Sequence, residues 1–104
     1  MEEKKELQNQ DERVVEIELE RLRGFVNHPF KVQADSQMIE LQESIKKYGI
    51  LNPLIVRPRQ DGTYEIISGH RRKFAAEKIG YRKVPVIIRV LKDDEAVVSM
   101  VDSN

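Results

Sequence analysis

Arg71, Arg72 and Lys73 stand side by side just after Ser68, Gly69 and His70, and phosphate binding is the chemistry such a run can do. The stretch Ile66-Ile67-Ser68-Gly69-His70-Arg71-Arg72-Lys73-Phe74-Ala75-Ala76, closing at Gly80, reads as a buried strand that turns at one glycine into a short basic helix. Gly69 lacks a Cβ, so the turn can be tight and another molecule can come close to the backbone. The helix then opens with free N–H groups and the positive end of its dipole. That makes an anion site before any side chain is counted. Cations in a first turn work against the dipole, so their placement is locally unfavourable unless an anion joins them. Helical spacing sets Arg71 one turn before Ala75, on the side of Phe74 and Ile79. It predicts that Arg71 begins on the packed face and points toward the end of the sheet. A plainer reading, a solvated basic helix resting on a sheet, stands equally open on composition. Gly69 begins neither a Walker nor a Rossmann fingerprint, because no second glycine and no Gly-Lys-Ser/Thr follows.

A second candidate is the loop Asn27-His28-Pro29-Phe30-Lys31-Val32. Pro29 forces His28 into an extended or turning conformation. Either this loop covers a ligand, or Phe30 and Val32 plug the core while His28 faces water; for His28 alone the second reading is preferred. His28 and His70 have no ligand-spaced partner, which argues against a zinc site.

The elements that would position these residues follow from pattern. Residues 1–13 are almost all charged or amide and predict a flexible tail. Val15, Ile17 and Leu19 alternate, as in a half-buried strand. Glu20 to Val26 reads as a connector with Arg21 and Arg23 in solvent. Asp35 or Ser36 can cap a helix whose apolar stripe is Met38, Leu41, Ile45 and Tyr48. Lys46 and Lys47 suit its last turn, and Gly49 its end. Leu54-Ile55-Val56 is continuous and apolar, a strand covered on both faces with Pro53 at its start. Asp61-Gly62 predicts a hairpin turn, and Thr63–Ser68 returns. Val84–Val90 is a fourth strand. Asp93 or Asp94 caps a last helix bearing Ala96, Val97, Met100 and Val101. The order strand, helix, strand, strand, helix, strand, helix gives an α/β (α+β) domain with a small mixed sheet. Residues 14–104 form that domain, and the chain is expected to break off within its last helix.

The chain has 104 residues, 18 basic and 18 acidic, and no cysteine. Zero net charge gives no global attraction to nucleic acid or membrane, so any anion site is local. Without cysteine there are no disulfides, thiolate metal sites or thiol chemistry, which suits a reducing cytosol. No apolar run approaches the roughly 20 residues of a spanning helix, and Met-Glu-Glu-Lys-Lys-Glu lacks the apolar core of a signal peptide.

Residues 14–104 resemble the N-terminal domain of ParB/RepB/Spo0J-type partition proteins, which has the ParB/sulfiredoxin-like fold. His28-Pro29-Phe30-Lys31-Val32 looks like the family's first box, Asn-Pro-Tyr-Gln-Pro-Arg. Ser68-Gly69-His70-Arg71-Arg72-Lys73-Phe74-Ala75-Ala76 looks like the second, Gly-Glu-Arg-Arg-x-x-Ala-Ala. Asp102-Ser103-Asn104 looks like the opening of the third, Glu-Asn-Leu-Gln-Arg. The run Tyr48-Gly49-Ile50-Leu51-Asn52-Pro53-Leu54-Ile55-Val56 is characteristic as well. Each box is weak alone, and their order and spacing together are specific.

The resemblance implies a cytidine nucleotide switch: CTP and Mg²⁺ bind between the boxes, and with a centromere-like DNA site this closes a clamp that spreads on DNA during plasmid or chromosome segregation. It assigns nucleotide contacts to Ser68, Gly69, His70, Arg71, Arg72, Lys31, His28 and Asn104, with Asn104 also toward Mg²⁺. It implies DNA and a ParA-type ATPase as partners, a homodimer in the whole protein, helix-turn-helix and dimerisation domains beyond this one, and a cytoplasmic, nucleoid- or plasmid-associated location. The chain departs from the boxes at His70 and Ser103, where the family has Glu, and in the first box, where Lys31 is the nearby cation. Those changes favour binding over fast hydrolysis and leave at most a slow CTPase. Sulfiredoxin chemistry needs a cysteine at the turn and is excluded. A ParB-fold small-molecule kinase or nucleotidase, for which Glu16, Glu18 and Glu65 qualify by type, and a DNA-binding fragment using Arg71, Arg72 and Lys73 are the alternatives. No spacing suits a nuclease metal cluster.

Overall fold

The computed structural model of the chain describes residues 12–24 and 35–103. Strand β1 (Val14–Glu18) runs into a single 3-10 turn, Leu19–Arg21, and a two-residue strand β2 (Leu22–Arg23). Next come α1 (Ser36–Tyr48), β3 (Leu54–Pro58), β4 (Tyr64–Ser68), α2 (His70–Lys78), β5 (Lys83–Ile88) and α3 (Asp93–Ser103). The strands form one mixed sheet in the order β1-β5-β3-β4-β2. β3 is antiparallel to β4 and parallel to β5, β1 is antiparallel to β5, and β2 is parallel to β4.

β3 lies at the centre because its apolar run has two faces to bury. Leu54 and Val56 point to one side, into a cluster with Ile17, Leu19, Leu22, Ile66, Ala76, Val84 and Val86. Ile55 points to the other, where Ile67 and Ala96 pack with Leu91 and Val97. Each fully buried Leu, Ile or Val contributes roughly 1.5–3 kcal/mol. α2 covers the first face and α3 the second. The expected cover on both faces of this strand is therefore present. α2 also joins α1, through Ala75 against Met38 and Ile45. Two adjacent alanines let one thin helix serve both the sheet and its neighbour.

Local signals placed the ends well. Asp35 accepts a 2.9 Å bond from the Met38 amide and caps α1. Gly49, at φ 78°, ends it. In the β3–β4 turn the Arg59 amide donates to Thr63 O at 2.9 Å, and Gly62 has φ 86°. Several expectations change. Of the expected connector, Phe25 and Val26 lie outside the described residues, and Glu20 to Gly24 is no plain connector: Leu22 is buried and pairs beside Tyr64, and Arg21 stacks over that ring and donates to Gly62 O. Val15 is exposed, because β1 is an edge strand and only Ile17 and Leu19 reach the core. Tyr48 is exposed, and the end of α1 is met instead by Tyr81, whose hydroxyl donates to Ile45 O. Strand β5 stops at Ile88, with Val90 in solvent. At α3 the first helical bond runs from the Ala96 amide to Lys92 O, and Glu95 reaches back to the Lys92 amide, so Lys92 holds the cap position.

Residues 1–11 of the expected tail lie outside the described residues, and Glu12 is tied to Arg89 by a 2.6 Å ion pair. Among the described residues no helix is long and apolar enough to cross a membrane.

Candidate phosphate-binding site

The site is made by how β4 ends. Ile55 pairs with Ser68 while Val56 pairs with Ile66, so Ile67 is an extra residue and β4 bulges just before the turn. A bulge sharpens the twist of its strand and re-aims the chain beyond it. Gly69 then turns the chain at φ 108°, ψ 24° and caps α2 without a side chain. An added Cβ there would stand 2.6 Å from Leu54 Cγ. Glycine is thus required twice, by its dihedral and by the approach of β3. The first helical bond of α2 runs from the Lys73 amide to Gly69 O at 2.9 Å. The amides of His70, Arg71 and Arg72 precede it, and Gly69 at the cap has no side chain to bond them.

The three side chains of that turn diverge. Arg72 lies in line with Ala76, the residue packed on the sheet. Its Nη1 donates to the carbonyls of Asn52 and Pro53, the latter at 2.9 Å, and its Nη2 lies 3.5 Å from Ser68 Oγ. Burial lowers its pKa, which still leaves a guanidinium charged at neutral pH. Arg71 lies in line with Ala75, the residue packed on α1. Its Nη2 is 3.6 Å from Asp35 Oδ1. The expectation that Arg71 points to the end of the sheet is corrected: Arg72 does so, and Arg71 turns to the start of α1. Helical side chains lean back toward the N-terminus, so a given spot is covered by a residue about one position further along the chain. Lys73 pairs with Glu77 at 3.2 Å. Ser68, Gly69, His70, Arg71 and Arg72 therefore meet in one turn, whereas His28, Lys31 and Asn104 lie outside the described residues. Sequence reading missed the Asn52 and Pro53 carbonyls and the role of Asp35 beyond its cap; backbone acceptors leave no signal in residue type. Among the described residues no three of His, Cys, Asp or Glu come together as metal ligands.

The sequence model of the ParB N-terminal domain matches residues 3–104. The chain belongs to the ParB N-terminal domain family. It is 41% identical over 83 residues to the chromosome-partitioning protein Spo0J of Thermus thermophilus, covering 80% of this chain and 30% of that protein. It is 39% identical over 84 residues to the nucleoid occlusion protein of Bacillus thuringiensis, covering 81% of this chain and 29% of that one. The chain thus spans about three tenths of these relatives. Among solved structures, C-terminally truncated ParB of Caulobacter crescentus complexed with CTP-γ-S superposes with a TM-score of 0.75 at 30% identity, over 86% of this chain and 52% of that one. The same protein complexed to its centromeric parS site gives 0.74 at 29%. The fold of this ParB domain is accordingly the expected ParB/sulfiredoxin-like one.

His70 is half-buried and lies near Lys73. Burial first, and the Lys73 charge second, push its pKa below the ordinary 6.5. The folded ParB domain then binds less proton than the unfolded chain between the two values, so unfolding takes up a proton there. This stabilisation is complete above pH 6.5, is lost as pH falls through the lowered folded value, and changes no further below it. Chemical denaturation from pH 7.5 to 5 should show this acid loss, and His70→Gln should flatten that part of the profile.

Proposed function

We propose that this ParB domain binds CTP with Mg²⁺ at the Gly69 turn and serves as the nucleotide switch of a partition protein that clamps and spreads on DNA. The observation that carries the reading is a helix start whose cap residue is Gly69, strained for any side chain and closely approached by Leu54, with Arg71 beside it and reachable from solvent. Similarity to a ParB solved with CTP-γ-S supports the choice of nucleotide. The amides of His70 to Arg72 would take phosphate oxygens and Arg71 would neutralise them, while Arg72 braces the turn from the Asn52 and Pro53 carbonyls. Lys31, His28 and Asn104 would complete the pocket, with Ser68 at its floor. Mg²⁺ would be held largely by phosphates and water, as is usual for this ion, with Asn104 nearby. A neutral His70 has no carboxylate to orient water, so turnover would be slow. Similarity to a ParB solved on parS supports DNA as the partner. A ParA-type ATPase, a homodimer and a cytoplasmic, nucleoid- or plasmid-associated place complete the proposal.

Calorimetric titration with CTP, ATP and GTP, each with Mg²⁺, tests it; CTP should bind selectively, and ATP preference would favour the kinase alternative. Arg71→Ala should weaken CTP by roughly ten- to a hundredfold, the loss of a charge-assisted bond, with melting unchanged. Arg72→Ala should lower both affinity and melting temperature, because two backbone carbonyls lose their donor. Unchanged affinity in Arg71→Ala would remove Arg71 from the site.

A further inference from the structure

We propose that Asp35 is the phosphate site's own counter-anion, holding Arg71 when no nucleotide is present and yielding it when phosphates arrive; the idea rests on the nucleotide reading above. Its Oδ1 accepts the Met38 amide at 2.9 Å and lies 3.6 Å from Arg71 Nη2. α1 and α2 begin at the same end. Ala75 packs among Met38 and Ile45, and Tyr81, just past α2, reaches Ile45 near the finish of α1. Two positive helix ends therefore face one region, with the Asp35 carboxylate between them. The Met38 amide first, and Arg71 further, hold that carboxyl below its ordinary 3.8. It is therefore anionic at neutral pH.

A phosphate at the start of α2 competes with this carboxylate for one guanidinium and is repelled by it. The pair is about half exposed on both sides, at 44% and 46%. Such pairs are weak, so Asp35 does not close the site. It sets a threshold: a triphosphate with several charges displaces it, and a single small anion does not. Asp35 thereby lowers the affinity of the site for phosphates, and a ligand with few other contacts falls below detectable binding.

Asp35→Asn separates this role from capping, because asparagine caps about as well and carries no charge. CTP with Mg²⁺, and separately inorganic phosphate, would be titrated into the wild-type chain, Asp35→Asn, Arg71→Ala and the double variant. Asp35→Asn should tighten CTP by roughly three- to tenfold, the repulsion expected between charges several ångströms apart in a wet site. The gain should vanish in the Arg71→Ala background, and phosphate should bind detectably only without Asp35. Asp35→Ser, which also caps, should match Asp35→Asn if one of them alters folding. If wild type binds CTP and Asp35→Asn binds it equally or more weakly, the counter-anion idea falls and the nucleotide site stands. If neither binds CTP, both fall.

Discussion

Gly69→Ala is expected to lower stability by about 2–4 kcal/mol and to remove nucleotide binding together with it. At φ 108° a residue with a side chain is strained, typically by roughly 1–3 kcal/mol. The new methyl would also meet Leu54 Cγ at 2.6 Å and Cβ at 3.3 Å. Those atoms are the branch point of a fully buried side chain at the start of the central strand, so they cannot swing aside as a lysine tip would. Overpacking of this kind typically costs roughly 1–3 kcal/mol. Against these stands the reduced freedom of the unfolded chain, worth only about 0.4–1 kcal/mol for Gly→Ala. Gly62→Ala is the natural control. Its φ of 86° is also positive, but nothing lies within 4 Å of its Cβ position. It should show the strain without the clash, and the difference in denaturation midpoints between the two variants reports the approach of Leu54. Titration well below both melting temperatures would then show whether the displaced amides of His70 to Arg72 still take a phosphate. Equal midpoints would mean that β3 does not shape the turn.

What the residues disclosed in advance tracks the range of the forces involved. The double-faced burial of Leu54, Ile55 and Val56, the Asp61-Gly62 turn, the Asp35 cap and the Gly69 turn rest on neighbours a few positions away, and all are present. β2 was invisible because two residues carry no period; pairing with β4, distant in sequence, makes it a strand. Spacing put Arg71 on a packed side of its helix, but α2 has two packed sides, and only the positions of α1 and β3 decide which arginine meets which. The Arg57–Glu65 pair was likewise hidden. Glu65 reads as the polar member of an alternating strand, which ordinarily faces water, yet α3 covers that face of the sheet. His28, Lys31 and Asn104 were reached through resemblance alone and lie outside the described residues.

Glu65→Ala should be the second large loss, roughly 3–5 kcal/mol, as is usual when one partner of a buried ion pair is removed. The Glu65 side chain is only 6% exposed; it accepts from Arg57 Nε at 2.5 Å and from Arg59 Nη1 at 3.2 Å. Arg57 is 14% exposed and also holds Asp93 at 2.9 Å and Leu91 O at 3.1 Å. Those contacts keep part of its charge satisfied, which argues for the lower half of the range. Burying a pair is itself expensive, and replacing both partners by apolar residues is often neutral. Arg57→Leu with Glu65→Leu should therefore recover much of the global stability that Glu65→Ala loses. It should not restore everything, because Arg57 is also what fastens the beginning of α3, at Asp93 and Leu91, to the sheet. Denaturant unfolding reads the first effect and amide exchange the second. The single variant should loosen the whole domain evenly, whereas the double variant should speed exchange in α3 ahead of the strands. If α3 amides in the double variant exchange in step with β3 and β4, the apolar seat of Ala96 on Ile55 and Ile67 holds that helix alone, and Arg57 serves only to neutralise Glu65.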